Sequence, residues 1–408
     1  MTSAAITGWL HPMQPVLDPA HVLDWPRLHA LDAELDAALR DHPVGPGLAA
    51  GLERSRRLLA IRTHLAQHQH LYLTDQPRLF QLIVQFLCGY RDLDLRDATG
   101  VGHGQLIARH GAPATRERWV PRLLAGELAG IAITEPHGGS RPAATRTRAV
   151  LGPAKTWLVS GRKTWISRLT EASVFVVFFR DPTGQLAAAA IDATTAGLHR
   201  TPLPPSGLSG WEWGILDLHE VVVRPEGVLA GDGMLLLREH FAHYRPLVTA
   251  TALGGAAMIF DSVTTTLGHR HAAGDLPRVR DSALITIGRT HAQLTTALFG
   301  AAVASCLAAA GDHQAELWGA ATKAHGVDVA NQAAAELALL VGAAGFRADS
   351  PIAKTRRDLS GFLLADGVHD SLLRAAGLRH VLPAGSDVPT PRSGPEQVPP
   401  PAPPEYQP

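Results

Sequence analysis

Apolar positions recur along this chain with two different periods, and the switches between them divide it. Leu28, Leu31, Leu35 and Leu39 fall on one helical face, and that pattern ends at Pro43-Val44-Gly45-Pro46-Gly47. A second helix is expected from about Leu48 to His68, burying Leu58, Ile61 and Leu65. A third follows Asp75-Gln76-Pro77, with Asp75 as N-cap, Pro77 near the first turn, and Leu79, Leu82, Ile83 and Phe86 facing inward. Shorter helices fit Gly104–His110 and Thr115–Leu124, while residues 1–20 read as irregular.

From Ile131 to Val223 short β-rich runs alternate with turns. The runs are Thr147–Leu151, Thr156–Ser160, Lys163–Ile166, Val174–Phe179, Leu186–Ile191, Leu198–Thr201 and Ile215–Val223. Gly152-Pro153, Asp181-Pro182-Thr183-Gly184 and Pro202–Gly210 supply the breaks. These runs predict an antiparallel β domain, a small barrel or sandwich, with Val174–Phe179 buried on both faces. Helical periodicity then returns, predicting helices over about 232–269, 280–310, 314–341 and 351–377. The fold class is therefore α+β: an N-terminal helical domain (1–127), a central antiparallel β domain (128–229), a C-terminal four-helix bundle (230–382) and a Pro-rich, disordered tail (383–408).

Charge narrows the function. Lys plus Arg equals Asp plus Glu at 37 each, and no basic stripe interrupts the balance, so nucleic acid is not an expected partner. Cys88 and Cys306, far apart in apolar helical patterns, read as buried free thiols in a reducing compartment. The first residues lack the pattern of a signal peptide, and no apolar stretch is long and uninterrupted enough to span a bilayer; a soluble, cytoplasmic protein is the expectation. The 21 histidines include His68/His70, His240/His243 and His269/His271, but none has a Cys or carboxylate at ligand spacing in the chain, and no metal is expected.

Chemistry-bearing motifs fall where the period changes. Arg118-Trp119-Val120-Pro121 through Gly126-Glu127 leads into Thr134-Glu135-Pro136-His137-Gly138-Gly139-Ser140. Gly161-Arg162-Lys163-Thr164-Trp165-Ile166-Ser167 comes next; near the end stand Gly342-Ala343-Ala344-Gly345-Phe346, Arg357-Asp358 and Asp366-Gly367. Gly138-Gly139-Ser140 offers unobstructed backbone N–H groups and a hydroxyl, which suits a pyrophosphate but also an ordinary turn. A carboxylate placed like Asp366, after an apolar run and before a glycine, either caps a helix or takes a proton.

In this order and with these gaps the motifs resemble the acyl-CoA dehydrogenase family of flavoproteins, over roughly residues 100–378. The resemblance implies FAD as cofactor. It places Ile133 and Thr134 at the flavin pyrimidine edge, Ser140 at the phosphate, Trp165 against the isoalloxazine and Ser167 at flavin N5. It also puts Val368 beside the cofactor, and it gives Arg270, Gly342 and Ala343 to the FAD of a neighbouring subunit, implying a homodimer or homotetramer. The catalytic positions are Asp366 and Gly367, with Tyr244 and Arg245 beside the substrate.

The implied reaction removes two hydrogens across Cα–Cβ of an acyl thioester, on coenzyme A or an acyl-carrier protein. Electrons then pass to an electron-transfer flavoprotein or to O2. Several positions depart from the family pattern. Asp366 stands where glutamate is usual, Tyr244 offers no alternative carboxylate, and Arg141, Ser209, Ala273, Asp281 and Val368 replace Asp, Arg, an aromatic, Gln and Thr. These departures point to an unusual acyl group in specialised biosynthesis. Two other readings stand beside dehydrogenation: a flavin monooxygenase or oxidase on the same fold, and a flavin-free binding scaffold.

Overall fold

A computed structural model describes residues 4–49, 51–73, 75–138 and 141–381; the Gly139-Ser140 pair and the Pro-rich tail lie outside the described residues. Residues 5–17, expected to be irregular, are helical. Ala5–Leu10 forms a wide helical turn, continued by His11–Met13 and α1 (Gln14–Leu17). Ala5, Ile6, Trp9, Leu10 and Met13 are buried, a helical spacing too short to stand out in the sequence. Trp9 Nε1 and Tyr90 Oη both donate to Asp261 (3.0 and 2.6 Å), which docks this segment on the later helices.

Helices α2 (Trp25–Asp41), α3 (Leu52–Gln67) and α4 (Arg78–Arg91) follow. Asp24 caps α2 through the Arg27 N–H. Asp75 caps nothing: its carboxylate pairs with Arg27, and α4 begins after extended Pro77 without a side-chain cap. The short helices α5 (Gln105–His110) and α6 (Pro113–Leu124) then deliver the chain to the sheet.

Seven strands form one sheet: β1 (Leu128–Ala132), β2 (Arg148–Leu151), β3 (Trp157–Ser167), β4 (Ala172–Arg180), β5 (Leu186–Asp192), β6 (Leu198–Pro202) and β7 (Trp213–Val223). Their order is β1-β4-β2-β3-β7-β6, with β5 on the other edge of β4. The sheet is mixed, because β1 and β2 both pair parallel to β4. Local turn signals reveal hairpins, and they cannot show that β1, entering from the helical domain, lies beside a strand forty residues later. The two runs expected around Gly161 are one bulged strand, β3, paired throughout with β7. β4 is buried on both faces, as its continuous apolar run requires.

The bundle is built on α7 (Gly233–Ala272), whose first N–H groups are capped by Asp232. Around it pack α8 (Asp281–Ala309), α9 (Ala315–Leu340) and α10 (Pro351–Phe362), and α11 (His369–Val381) packs on α9. Backbone contact between α4 and α7 is close. A Cβ on Gly89 would sit 2.0 Å from the Thr251 carbonyl oxygen, and one on Gly254 would sit 2.1 Å from that of Phe86. α7 and α9 run parallel, with Gly319 against Ala242 and Gly326 against Thr249.

Three sequence expectations change here. The helix expected over 351–377 is two helices, broken by the turn that holds Asp366 and Gly367. Cys88 is buried, but Cys306 is exposed on α8. By length and composition α7 and α8 are apolar enough to cross a bilayer. Most of the α7 apolar window is buried inside the protein (67%), whereas that of α8 is 44% buried.

Candidate active site

The loop after β1 is tied to β3 by a buried ion pair. Lys163 Nζ donates to the Glu135 carboxylate (2.8 Å) and to the Ile133 carbonyl (3.1 Å), and the Thr164 N–H donates to the Thr134 carbonyl (2.9 Å). Glu135 also accepts from the N–H groups of Arg146 and Thr147 and from the Thr147 hydroxyl. Burial alone would raise its carboxyl, but these donors hold it at about 2; burial pushes Lys163 down to about 8 against the pull of Glu135. Two motif residues thus fix the backbone of Ile133 and Thr134.

β3 bulges between Lys163 and Ile166, and Trp165 takes a left-handed conformation (φ +57°). Its indole is 55% exposed, an unusual position for the largest apolar side chain. Two residues on, the Ser167 oxygen accepts from Arg168 Nη1 (2.8 Å), which leaves the hydroxyl hydrogen free to donate elsewhere. Arg168 is buried and grips Asp97 bidentately (2.7 and 2.6 Å). Burial would lower its guanidinium, yet Asp97 holds it above the ordinary range, with Tyr244 and Asp366 acting in the same direction. The Trp-Ile-Ser corner and the Asp366 turn therefore share one electrostatic neighbourhood.

Between α10 and α11 the chain turns on Asp366 (φ +55°) and Gly367 (φ +120°). A Cβ at Gly367 would meet Leu372 Cδ2 at 2.7 Å, so only glycine fits. Lys323 of α9 spans the turn, its Nζ donating to the carbonyls of Phe362 (2.6 Å) and Gly367 (2.7 Å). Arg245 of α7 donates from Nε to the Asp366 carbonyl (3.2 Å). Three backbone oxygens are thus pinned while the carboxylate is left open. Among the described residues no N–H donates to it, which removes the helix-cap role. Burial pushes the Asp366 carboxyl up, and Lys323, Arg168 and Arg96 oppose that shift. Burial likewise lowers Lys323 to about 8.

Asp366 lines a cavity of about 70 Å³ between α4, α7 and the segment from Arg96 to Gln105. Tyr244 lines it too, its ring stacked on His240 (centroids 5.2 Å apart) and tilted against His103 (4.6 Å). His103 Nδ1 and His240 Nε2 lie 3.0 Å apart. Burial lowers both imidazoles, His240 to about 3, so the pair is neutral at pH 7. Burial raises the Tyr244 phenol, so it stays protonated at neutral pH and is no base.

Not every residue in the sequence-derived set comes together. Asp366, Gly367, Val368, Tyr244 and Arg245 meet at one end of the bundle, close to Arg168 and Ser167. Arg270 is exposed at the far end of α7, some 25 residues or roughly 38 Å beyond Arg245. Gly342 and Ala343 are exposed past the end of parallel α9, at that same distant end. Within one chain they do not reach Asp366. Ser140 lies outside the described residues. Arg96, Asp97, Arg168 and Lys323 were missed in the sequence. Only Arg168, directly after Trp-Ile-Ser, carried a usable signal there.

The metal expectation also needs correction in one respect. Glu34 of α2 supplies the carboxylate that the sequence does not place beside His64 and His68, approaching His64 Nε2 at 2.7 Å. Asp92, Asp94 and Asp358 also converge, but Lys354 lies between them (2.6, 3.0 and 2.6 Å).

A helical domain, a bulged mixed sheet and a C-terminal helical bundle, in this order, form the acyl-CoA dehydrogenase fold. Residues 130–221 match the acyl-CoA dehydrogenase middle domain and residues 231–379 the C-terminal domain, together more than half of the chain; the protein belongs to the acyl-CoA dehydrogenase family. A glutaryl-CoA dehydrogenase of Desulfococcus multivorans is 26% identical over 283 residues, 65% of this chain and 70% of that protein. The very long-chain specific acyl-CoA dehydrogenase of Rattus norvegicus is 25% identical over 298 residues, 69% of this chain but 45% of that protein.

Among solved structures, butyryl-CoA dehydrogenase from Megasphaera elsdenii shares the fold with a TM-score of 0.75 at 19% identity, covering 87% of this chain and 97% of that one. The prolyl acyl carrier protein oxidase AnaB superposes with a TM-score of 0.70 at 17% identity, covering 81% of this chain and 98% of that one. FAD is the family's cofactor, and a relative from Bacillus anthracis was solved in complex with it. The residues here fit that group. The exposed Trp165 indole offers a face to a flat ring, and Ser167 retains a free hydroxyl hydrogen beside it.

Proposed function

We propose that this protein removes two hydrogens across Cα–Cβ of an acyl thioester, with Asp366 as the base that takes the α-proton. One observation carries this reading. Asp366 is the one carboxylate among the residues described as lining the cavity, held there by a broken helix whose backbone oxygens are pinned by Lys323 and Arg245.

Bound FAD would accept the β-hydrogen as hydride. The other tasks fall to the chain. Burial raises Asp366 toward the working pH, which suits a group that must take a proton from a weak carbon acid. The cations of Lys323, Arg168 and Arg96 keep that rise in check, so the carboxylate form stays accessible. Gly367 lets the turn close, and its N–H is the donor we assign to the thioester carbonyl. Trp165 and the pinned backbone of Ile133 and Thr134 support the flavin, with Ser167 at N5 and Val368 at its edge; Ser140 is assigned to the phosphate on the motif alone. Tyr244 and neutral His240 complete the wall of the acyl site.

Arg270, Gly342 and Ala343 are assigned to the cofactor of a second copy, making the protein a homodimer or a dimer of dimers. Their exposure at the far end of the bundle supports this, as do exposed Leu284, Ile285 and Val303 on α8 and Phe346 beside Gly342. A carrier-protein thioester in specialised biosynthesis is the preferred substrate form, given the departures around the flavin site.

The test is an anaerobic one. Holoprotein is mixed with a panel of acyl-CoA and acyl-carrier thioesters while flavin absorbance and product are followed. Loss of flavin absorbance with an α,β-unsaturated product is expected for at least one thioester. Flavin that stays oxidised with every thioester, in a protein that turns over O2 instead, would replace dehydrogenation with oxygen chemistry.

A further inference from the structure

One cluster of metal-ligating side chains lies outside the acyl site and takes no part in its chemistry. His64 and His68 stand four residues apart on α3, so their rings share a face, with centroids 4.5 Å apart. Glu34 reaches them from α2: its Oε2 lies 2.7 Å from His64 Nε2 and 3.9 Å from His68 Nδ1. The three donor atoms all fall within 4.8 Å of one another. Each side chain is partly exposed, so the cluster is open to solvent. The end of α3 holds His68 in place. Gln69 is left-handed (φ +61°), its N–H donates to the Ala66 carbonyl (3.0 Å) and the His70 N–H donates to that of Leu65 (2.9 Å), which closes the helix in a Schellman turn.

Glu34 differs from the carboxylates around it. Asp32 and Asp36 of the same helix pair with Arg91, and Asp75 pairs with Arg27. Among the described residues neither a Lys nor an Arg pairs with Glu34; its partners are the two imidazoles. The trio of Asp92, Asp94 and Asp358 already encloses the Lys354 ammonium, and the Glu-His-His cluster has no such group. It also sits at the C-terminal end of α3, where the last carbonyls carry partial negative charge and favour a cation. Two imidazole nitrogens with one carboxylate oxygen suit Zn2+, whereas Mg2+ and Ca2+ call for oxygen alone. Around a tetrahedral ion with bonds of about 2.0–2.1 Å the donors stand roughly 3.3 Å apart. The close pair must therefore open, and the distant pair close, by about 0.6 Å, a distance that side-chain rotation covers.

We propose that Glu34 Oε2, His64 Nε2 and His68 Nδ1 bind one Zn2+ ion, with water in the fourth position, and that the ion clamps α2 onto the end of α3. On binding, any hydrogen on the two coordinating nitrogens moves to the other nitrogen of its ring or to solvent. His68 Nδ1 gives up its contact with the His64 carbonyl (2.9 Å) in exchange for the metal bond. The site is independent of how the acyl chemistry is read.

The test is calorimetric titration of the full, FAD-loaded chain with zinc chloride after treatment with EDTA, with thermal melts on the same samples. One ion per chain is expected to bind with a Kd of about 1–10 μM. Zinc at a hundred times that Kd should raise the melting temperature by about 3 °C, and the same concentration of Mg2+ should leave it unmoved. Glu34→Gln and His64→Ala should each weaken binding by about tenfold or more. Flavin content and the metal-free melting temperature show whether each variant is folded, and Glu34→Gln keeps the side-chain shape should His64→Ala fail to fold. Zinc held elsewhere, by exposed Cys306 for example, would persist in both variants. Binding of equal strength in the folded variants overturns the proposal, as does a melting temperature that zinc does not move or that Mg2+ moves equally.

Discussion

Replacing Lys323 by Met separates stability from positioning. The ammonium makes two short bonds, to the carbonyls of Phe362 and Gly367, each worth about 1.5–3 kcal/mol for a charged donor. Against this, burial pushes the amine from its ordinary 10.5 to about 8, a cost of about 3 kcal/mol for keeping it charged at neutral pH. The two nearly offset. K323M should lose about 2–6 kcal/mol, the penalty of two carbonyls left unmet. Its effect on chemistry should be of comparable size, because those carbonyls flank Asp366 and fix where its carboxylate lies. A shift of about 1 Å at a reacting group costs on the order of a hundredfold in rate.

The pH profile gives a second, independent reading. Asp366 must be ionised to act, so the rate falls as pH drops through its pKa. Lys323 lowers that pKa, so its removal moves the acid limb of the bleaching rate to higher pH. Anaerobic stopped-flow across pH, with a thermal melt on the same sample, measures all three quantities. A K323M protein that bleaches at the original rate with an unmoved acid limb, while melting lower, would show that Lys323 only braces the fold.

Glu135→Gln leaves Lys163 buried without its partner and should cost about 3 kcal/mol at pH 7, seen in urea unfolding. Because Glu135 is held near 2, its contribution is present above about pH 4.5 and disappears as pH falls toward 2; the variant should lack that acid step. Gly254→Ala should destabilise by about 1–3 kcal/mol or more, since the new Cβ meets the Phe86 backbone at 2.1 Å. The control is Gly377→Ala on α11, with open space around it, which should stabilise by about 0.5–1 kcal/mol in the same assay.

Much of the architecture was legible from periodicity. The helices of 28–39 and 281–340 stand where their leucine and alanine spacing put them, and VFVVFF is a doubly buried strand. What escaped depended on distant partners. The parallel pairing of β1 with β4 has no local signature, and the break before α11 reads in sequence as an uninterrupted helix until the left-handed Asp366-Gly367 pair is seen. The site divides in the same way. Asp366, Trp165 and Ser167 announced themselves by motif. Arg96 and Lys323 did not, because a buried cation acquires meaning only from the carboxylates already taken around it and the carbonyls it spans.

The most direct measurement is the anaerobic titration of FAD-loaded Asp366→Asn protein with a thioester that bleaches the unsubstituted enzyme. If Asp366 is the base, the variant keeps its FAD and binds the thioester, yet its flavin stays oxidised. Bleaching by the variant at the unsubstituted rate would contradict that role and move the α-proton to another group.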